Sequence, residues 1–431
     1  MTAQFQLAVF QNEYLPEGAA EVNAIVTVSA TGGAGGPSTA QAGPAAEVII
    51  MDCSGSMEMP RRKLEEAKRA TSVAIDTLRD GVQFAVVNGM DIAQMIYPRH
   101  PRMVTADDRT RAEAKSALAG VRADGGTAIG EWLLLADRLF ADQPASIKHA
   151  ILLTDGRNEH EAPQKLDTIL RQVAGKYVVD CRGVGTDWEV AELRKISNRM
   201  LGSVDIIAEP AGLAADFRSM TAAAMGKEVA DVALRLWTPQ GATVKYVKQV
   251  EPSLLDLTDR RVESVPRSGD YPTASWGTES RDYHVCVQVS PARVGDRMLA
   301  GRVSLVLPDG EILGKAQVIA TWTDDSALST RINPQVAHYT GQAELASAIQ
   351  EGLAARKAGD VETATAKLGR AVALATETGH EDTAKLLAKV VDIDDPVTGT
   401  VRLKRQVETV DEMTLDTRST VTKRVGKPGP S

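Results

Sequence analysis

A short polar segment, MDCSGSM at residues 51–57, follows the apolar run of residues 48–50 and precedes a helical pattern. Asp52, Ser54 and Ser56 therefore stand where a buried strand becomes a loop. In an open parallel α/β sheet, ligands bind at this carboxyl edge of the strands. One carboxylate and two hydroxyl oxygens on a single turn suit Mg²⁺, which prefers six oxygen ligands. The segment therefore predicts an α/β fold with a metal site.

Two later segments match the same site. The sequence GGTAIG at residues 125–130 is a flexible loop that presents Thr127 before a helix, and ILLTDG at residues 151–156 is a second buried strand that ends in Asp155. Because the carboxyl ends of parallel strands meet at one edge of a sheet, we expect these side chains to lie near Asp52. An alternative is that the Ser and Asp residues cap the following helices, and the two roles are compatible.

Together the three segments resemble the von Willebrand factor type A (VWA) domain and its metal-ion-dependent adhesion site (MIDAS), over residues 45–225. The resemblance implies a bound Mg²⁺ or Mn²⁺ ion whose coordination is completed by an Asp or Glu of a protein partner. Bacterial intracellular members of this family typically act in multiprotein assemblies, some with AAA-type ATPases. The motif positions implied to hold the metal are Asp52, Ser54, Ser56, Thr127 and Asp155, the last of which usually acts through water.

The remaining patterns predict how the chain divides into domains. Strand-then-helix repeats in residues 45–226 indicate a doubly wound parallel sheet, and alternating apolar residues in 227–325 indicate an antiparallel β-sandwich. The strands of residues 1–30 need partners, since an isolated hairpin is marginal in water. We expect them to complete the sandwich, so that the VWA domain is inserted in it. Residues 31–44, rich in Gly, Pro and Ser, are typical of a flexible linker.

The C-terminal part predicts helices followed by a tail. Residues 334–391 have the periodicity of a three-helix cap, whose first two helices resemble a single tetratricopeptide-type hairpin. Residues 397–431 have little periodicity and many threonines, which favours a disordered tail. A Thr-rich tail also suggests a Ser/Thr kinase substrate that a phosphothreonine-reading domain binds. The candidate phosphorylation sites are Thr409, Thr414, Thr417 and Thr420.

Composition bounds the partners and the compartment. A net charge of −8 argues against a general nucleic-acid binder. No apolar stretch reaches the roughly 20 residues of a membrane span, and the start has no secretory pattern. The three cysteines are widely separated and predict free thiols in a reducing cytosol. Cys53 is either an exposed oxidation candidate or a filler at the motif's variable position.

A Mg²⁺ site could instead activate water for hydrolysis, which is the alternative class of function. The sequence offers no general base at a fixed position and no His that pairs with Cys53. We therefore expect a scaffold or adaptor rather than an enzyme. Residues 157–159, Arg-Asn-Glu, follow Asp155 and either border a partner's footprint or form an ordinary polar loop.

Overall fold

The computed structural model describes residues 3–32, 44–59 and 62–424. The predicted linker therefore falls largely on residues 33–43, outside the described part, and so does Pro60, predicted to begin the first helix of the VWA domain. No helix in the described part is both long and apolar enough to cross a membrane. The chain forms a discontinuous flanking unit and a continuous central unit, Met1–Ala34 with Asp231–Ser431, and Gly35–Ala230, respectively.

The flanking unit begins with three strands, β1 (Gln4–Gln11), β2 (Tyr14–Pro16) and β3 (Glu21–Thr31). Strands β1 and β3 pair antiparallel, with Val9 opposite Val26. The alternating apolar residues of β3 are buried, which is what the period of two in this segment predicts.

The central unit alternates strands with helices, as the strand-then-helix pattern predicts. The elements are β4 (Ala45–Asp52), α1 (Arg62–Thr77), β5 (Gln83–Gly89), β6 (Gln94–Tyr97), β7 (Val104–Thr105), α2 (Asp108–Ala119), α3 (Ile129–Ala141), β8 (Ile147–Thr154), α4 (Pro163–Val173), β9 (Val178–Val184), α5 (Val190–Arg199), β10 (Val204–Ile207) and α6 (Leu213–Met225).

One mostly parallel sheet organises the central unit, with strand order β10-β9-β8-β4-β5-β6 and β7 paired to β5. Strands β4 and β8 are in register, with Ile50 opposite Leu152. All eight residues of β4 are buried, because helices cover a doubly wound sheet on both faces. The chain leaves β4 toward β5 on one side and returns as β8 on the other. This reversal is the position where open α/β sheets bind ligands.

Between residues 233 and 323 the flanking unit contains eight further strands. They are β11 (Ala233–Trp237), β12 (Thr243–Glu251), β13 (Leu255–Asp256), β14 (Val262–Glu263), β15 (Ser268–Pro272), β16 (Glu279–Gln288), β17 (Arg297–Val306) and β18 (Ile312–Thr323). Together with β1, β2 and β3 they form one sheet of order β1-β3-β16-β12-β13 and another of order β14-β15-β11-β17-β18-β2.

The N-terminal strands belong to both of these sheets. Strand β3 pairs antiparallel with β16, and β2 pairs parallel with β18, where Leu15 lies opposite Trp322. The sheets also touch, since a Cβ built at Gly301 would lie 3.3 Å from Leu236 and 3.8 Å from Val287, which are in different sheets. The two sheets therefore approach each other at Gly301.

The C-terminal elements are helical with one hairpin. Helix α8 packs its first turns on the sheet through Val336 and Tyr339, which contact Ile25 and Val250. The elements are α7 (Ser326–Ser329), α8 (Pro334–Ala358), α9 (Val361–Glu377), α10 (Glu381–Val390), β19 (Val391–Asp395), β20 (Thr400–Leu403) and α11 (Thr409–Arg418).

The prediction of a disordered tail over residues 397–431 is wrong for the part that the structure describes. Strand β20 and helix α11 pack Val401 and Leu415 into the core of the three C-terminal helices. Arg356 of α8 also donates to Glu412 Oε1 at 2.6 Å and to the Lys404 carbonyl at 3.0 Å. The segment is ordered by these tertiary contacts, which its weak periodicity does not reveal. Residues 425–431 lie outside the described part.

Candidate metal centre

Asp52 and Asp155 lie side by side at the carboxyl ends of the neighbouring strands β4 and β8. Met51 lies opposite Leu153 in this register, so the next residues of both strands reach the same edge. Both carboxylates have no exposed surface. The prediction that the two segments meet at one edge is therefore confirmed, and the complete burial of Asp52 is an additional finding.

Neutral donors hold the Asp52 carboxylate. The Ser54 N–H donates to Oδ1 at 2.8 Å, and the Thr154 hydroxyl donates to Oδ2 at 2.5 Å. Burial raises the pKa of Asp52 to about 6, although the hydrogen bonds from Ser54 and Thr154 lower it. Asp52 is therefore largely ionised at pH 7, although the groups that donate to it are neutral. A cation bound there would offset the free-energy cost of burying this charge.

The serine hydroxyls form a chain that leads to the second carboxylate. Ser54 Oγ lies 3.0 Å from Ser56 Oγ, and the Ser56 hydroxyl donates to Asp155 Oδ1 at 2.7 Å. A short 3-10 turn at Gly55–Glu58 fixes this spacing, because its residue Met57 donates its N–H to the Ser54 carbonyl. A hydroxyl oxygen accepts as well as donates, so each serine keeps lone pairs for another ligand.

Thr127 joins the two serines around Gly156. A Cβ built at Gly156 would lie 3.3 Å from Ser56 Oγ, 3.4 Å from Thr127 Oγ1 and 4.0 Å from Ser54 Oγ. The three hydroxyls from two separate loops therefore surround one point, and a glycine at this position keeps that space open. The spacing of the motif alone could not establish this convergence.

His160 holds Thr127 in place and was missed from the sequence. Its ring Nδ1 accepts the Thr127 backbone N–H at 3.2 Å, and the backbone N–H of His160 donates to the Thr127 carbonyl at 3.0 Å. A side chain at Gly126 would collide with the His160 ring, with Cβ only 2.2 Å from Nδ1. The signal for it in the sequence is the polar run after Asp155, to which His160 belongs together with residues 157–159.

The same polar run caps helix α3, which carries no cap of its own at Ala128. Asn158 Oδ1 accepts the Ile129 N–H at 2.7 Å, and Glu161 Oε2 accepts the Gly130 N–H at 2.9 Å. Asn158 is buried for this reason, while Arg157 and Glu159 are exposed beside the site. The capping alternative thus holds for α3, but residues outside the motif perform it.

Lys63 of helix α1 is a further residue that sequence analysis missed. Its Nζ donates to Asp155 Oδ2 at 2.8 Å and lies 3.5 Å from Asp187 Oδ2. Burial lowers the pKa of Lys63, but the hydrogen bond and charge of Asp155 outweigh it and the pKa is raised. Both oxygens of Asp155 therefore accept a hydrogen bond from the protein.

Cys53 is not an exposed oxidation candidate, which was one of the two predictions for this residue. It has no exposed surface, its Sγ donates to the Met51 carbonyl at 3.3 Å, and burial raises the pKa of the thiol. A buried thiol with a raised pKa is inert, so the interpretation as a filler of the motif's variable position fits. Cys181 and Cys286 are also free and buried.

The hydroxyls open into a cleft of about 370 Å³. The donor set is two carboxylates below and three hydroxyls above, all of them oxygen, which fits Mg²⁺ or Mn²⁺ better than a softer metal. Among the residues that the structure describes, no group of three or more His, Cys, Asp and Glu side chains could hold a metal. Besides the motif residues and glycines, the cleft is lined by Arg157, Glu159, His160 and Asp187.

Similarity to known proteins identifies the class. Residues 46–206 match the von Willebrand factor type A domain, and residues 373–419 match the von Willebrand factor type A C-terminal domain. A solved structure of von Willebrand factor type A from Catenulispora acidiphila is 54% identical, with 98% of each chain covered and a TM-score of 0.93. The chain therefore belongs to the von Willebrand factor type A family. Domains of this family typically bind a divalent metal at a MIDAS and often mediate protein–protein interaction.

More distant relatives extend the likeness of the fold. The ArnB paralog VWA2 from Sulfolobus acidocaldarius is 14% identical over 97% of this chain and 98% of that chain, with a TM-score of 0.57, which concerns the fold alone. An uncharacterized protein of Synechocystis is 31% identical over 220 residues. That match covers 49% of this chain and 49% of the relative, so the chain spans about half of the relative's length.

Proposed function

We propose that the central unit binds Mg²⁺ or Mn²⁺ at a complete MIDAS, and that an Asp or Glu of a partner protein completes the coordination. The observation that carries this proposal is the convergence of three hydroxyl oxygens, from two loops, on one point above two buried carboxylates. The residues that hold the ion are Asp52, Ser54, Ser56, Thr127 and Asp155.

The donor set supports a metal with an open position. Asp52 and Asp155 supply the negative charge, and the hydroxyls add neutral oxygens at fixed spacing. Mg²⁺ keeps near-octahedral geometry and usually retains waters, so the cleft side remains available to an outside ligand. The hydrogen bonds that already occupy both oxygens of Asp155 favour contact with the ion through a water molecule.

The rim of the cleft suits a protein surface. Arg157 and Glu159 are exposed and charged, and Met59 and Ile92 are apolar with 75% and 65% of their surface exposed. Met59 lies beside Ser56, and Ile92 follows Asp91, which contacts Gly125 of the cleft. A mixed rim around a desolvated anchor is typical of protein–protein interfaces.

We infer a scaffold or adaptor role in a cytoplasmic multiprotein assembly, and not an enzyme. An AAA-type ATPase would be a separate chain. Capture of partners from native lysate with the wild-type chain and with Asp52→Asn, each with Mg²⁺ or with EDTA, tests this role. We expect a partner retained by the wild type with Mg²⁺ and lost in the other three conditions. The same partners in all four conditions would contradict metal-dependent adhesion.

The alternative is a Mg²⁺-dependent hydrolase, for which His160 is the one titratable ring beside the cleft among the described residues that line it. Its Nδ1 accepts the Thr127 N–H, so this nitrogen is already engaged in holding the loop of Thr127. A nitrogen that accepts a backbone N–H is not available as a general base, which argues against the hydrolase. Turnover of phosphate and acyl ester substrates that depends on Mg²⁺ and is lost in Asp52→Asn would favour the hydrolase.

Phosphorylation of the C-terminal segment is a compatible form of regulation. Thr417 is 1% exposed, and the Thr414 hydroxyl donates to the Val410 carbonyl at 2.6 Å, so both would require local unfolding. Thr409 is exposed at the first turn of α11, where a phosphate interacts favourably with the helix dipole. Peptide mapping of protein from its native cell tests this, and we expect phosphate at Thr409 or Thr420 rather than at Thr417. If the peptides of this segment were unmodified under all growth conditions, regulation by phosphorylation would be contradicted.

A further inference from the structure

A buried lysine contacts the candidate metal centre directly. The Lys63 side chain is 11% exposed and pairs at 2.8 Å with Asp155, which has no exposed surface. Its second acidic neighbour, Asp187, has 71% of its side chain exposed, so water screens that charge. The metal-binding motif consists of five residues that supply oxygen atoms, and Lys63 is not one of them. The position of its ammonium group against Asp155 therefore needs a separate explanation.

The lysine changes the charge of the site when it is loaded. Asp52 and Asp155 together carry two negative charges, which a divalent ion alone would neutralise. With the Lys63 ammonium included, the buried group has a net charge of −1 before the ion binds and +1 afterwards. Neither carboxylate offsets this remaining positive charge, which therefore favours the binding of one further anion at the cleft.

We propose that Lys63 is a specificity-determining residue that couples the two binding events, so that the ion binds weakly by itself and tightly together with a carboxylate. This inference rests on the proposed MIDAS function and adds a reason for the chemistry of the partner. The carboxylate of an Asp or Glu brings the buried charge back to zero, whereas water or a neutral side chain leaves it at +1. By linkage, the ion and the carboxylate strengthen each other's binding by the same factor.

Lys63→Gln is the main variant because it separates charge from position. The glutamine amide can still donate to Asp155, but it has no charge. Lys63→Met removes both the charge and the hydrogen bond, and Lys63→Arg keeps the charge. Lys115→Met is the matched control, since Lys115 pairs with the partly exposed Asp76 at 2.6 Å on the surface of the same unit.

The experiment is titration calorimetry of the full chain with MgCl₂, in sodium chloride and in sodium acetate of equal ionic strength. Acetate serves as the probe for a partner's carboxylate, and its own weak association with Mg²⁺ is subtracted. In chloride, we expect Lys63→Gln and Lys63→Met to bind Mg²⁺ about tenfold more tightly than the wild type, because the repulsion of a nearby unit charge is gone. In acetate, we expect wild type and Lys63→Arg to gain affinity, and both uncharged variants to gain little.

The outcomes separate this inference from the function on which it rests. If the wild type binds no Mg²⁺ in either salt, the MIDAS function is wrong. If it binds Mg²⁺ but Lys63→Gln and Lys63→Met match Lys115→Met in both salts, the coupling by Lys63 is wrong and the metal site stands. If Lys63→Gln behaves as wild type while Lys63→Met differs, the residue only positions Asp155, and the coupling is again overturned. Thermal unfolding without metal checks that each variant is folded.

Discussion

At the amino end of the central sheet, three strands bury an imidazole between two carboxylates, whereas at the carboxyl end two strands bury two carboxylates beneath hydroxyl groups. His149 of β8 lies with Nδ1 2.9 Å from Glu47 Oε1 and with Nε2 3.0 Å from Asp180 Oδ2. Burial lowers the pKa of His149, but the charge of Glu47 and the bond to Asp180 outweigh it and raise the pKa to about 10. The imidazolium of His149 therefore pairs with a carboxylate through each of its two nitrogens.

Asp52, at the carboxyl end of the sheet, is satisfied differently from Glu47. The groups that donate to Asp52 are an N–H and a hydroxyl, and the serine and threonine hydroxyls nearby keep lone pairs that face a cleft. Asp155, the second carboxylate of this end, already pairs with Lys63. Glu47 is therefore structural, because a counter-charge fills its surroundings, whereas Asp52 can bind a cation, because neutral donors leave its charge uncompensated.

The largest expected effect is on stability at the amino end. His149→Leu leaves the buried Glu47 without its cation, while Asp180 is partly exposed and keeps its hydrogen bonds from Ser203. The unpaired buried charge should lower the free energy of unfolding by about 3–5 kcal/mol. Urea denaturation at pH 7 measures this, with exposed His100→Leu as the control. The contrast between the two ends of the sheet would be contradicted if His149→Leu lowered the free energy of unfolding no more than His100→Leu does. It would also be contradicted if the folded His149→Leu variant lost Mg²⁺ binding.

The next effect is on metal binding at the carboxyl end. Asp52→Asn should weaken Mg²⁺ binding more than about a hundredfold, since changes to residues that only support a ligand already cost 10–100-fold. Its stability without metal should change by less than about 1 kcal/mol, because the amide oxygen can still accept from Ser54 and burial of the charge is relieved. Calorimetry with MgCl₂ and urea denaturation test both parts. Wild-type affinity in this variant would refute the site.

The pH dependence of metal binding follows from the raised pKa of Asp52, about 6. The ion binds the carboxylate, so protons compete with it below that pH. We expect constant Mg²⁺ affinity from pH 7 to 8 and a decline approaching about tenfold per pH unit below pH 6, where one proton is released per ion bound. Calorimetry in two buffers of different ionisation enthalpy counts that proton. An affinity that stays level down to pH 5 would mean that Asp52 does not bind the ion.

The smallest effect concerns one neutral ligand. Thr127→Ala removes a hydroxyl that a water molecule can replace at a cost of about 0–2 kcal/mol, so Mg²⁺ affinity should fall by less than about thirtyfold. Thr127→Ser keeps the hydroxyl and should bind as the wild type does. If Thr127→Ala lost as much Mg²⁺ affinity as Asp52→Asn, the conformation of the Thr127 loop, rather than the hydroxyl oxygen, would determine the affinity.

The sequence predicts the central unit well because its signals are local. Apolar runs that end in Asp52 and Asp155 define both the strands and the edge where they meet. Lys63 could not be found in this way, since it reaches the site from helix α1 and no spacing rule links it to Asp155, 92 positions away. His160 lies in the polar run after Asp155, but only the structure shows that it contacts Thr127. The burial of Asp52 likewise depends on Thr154, which belongs to a different strand.

The tail illustrates the opposite limit of sequence analysis. Its few apolar residues, such as Val401 and Leu415, give no regular period, yet they complete a core that the three preceding helices leave open. Close backbone contact adds to this, since a Cβ at Gly369 would lie 2.3 Å from the Gly399 carbonyl oxygen. Order that is supplied by a distant partner is invisible to a local pattern.

The most direct test of the central claim is a crystal structure of the protein grown with MnCl₂, in which anomalous scattering identifies the ion. The account predicts a single strong peak above Gly156, at coordination distance, about 2.0–2.3 Å, from the hydroxyls of Ser54, Ser56 and Thr127. It also predicts that the peak is absent from Asp52→Asn crystals grown in the same way. A peak elsewhere in the central unit, or one unchanged in the variant, would contradict a metal-dependent adhesion site at this end of the sheet.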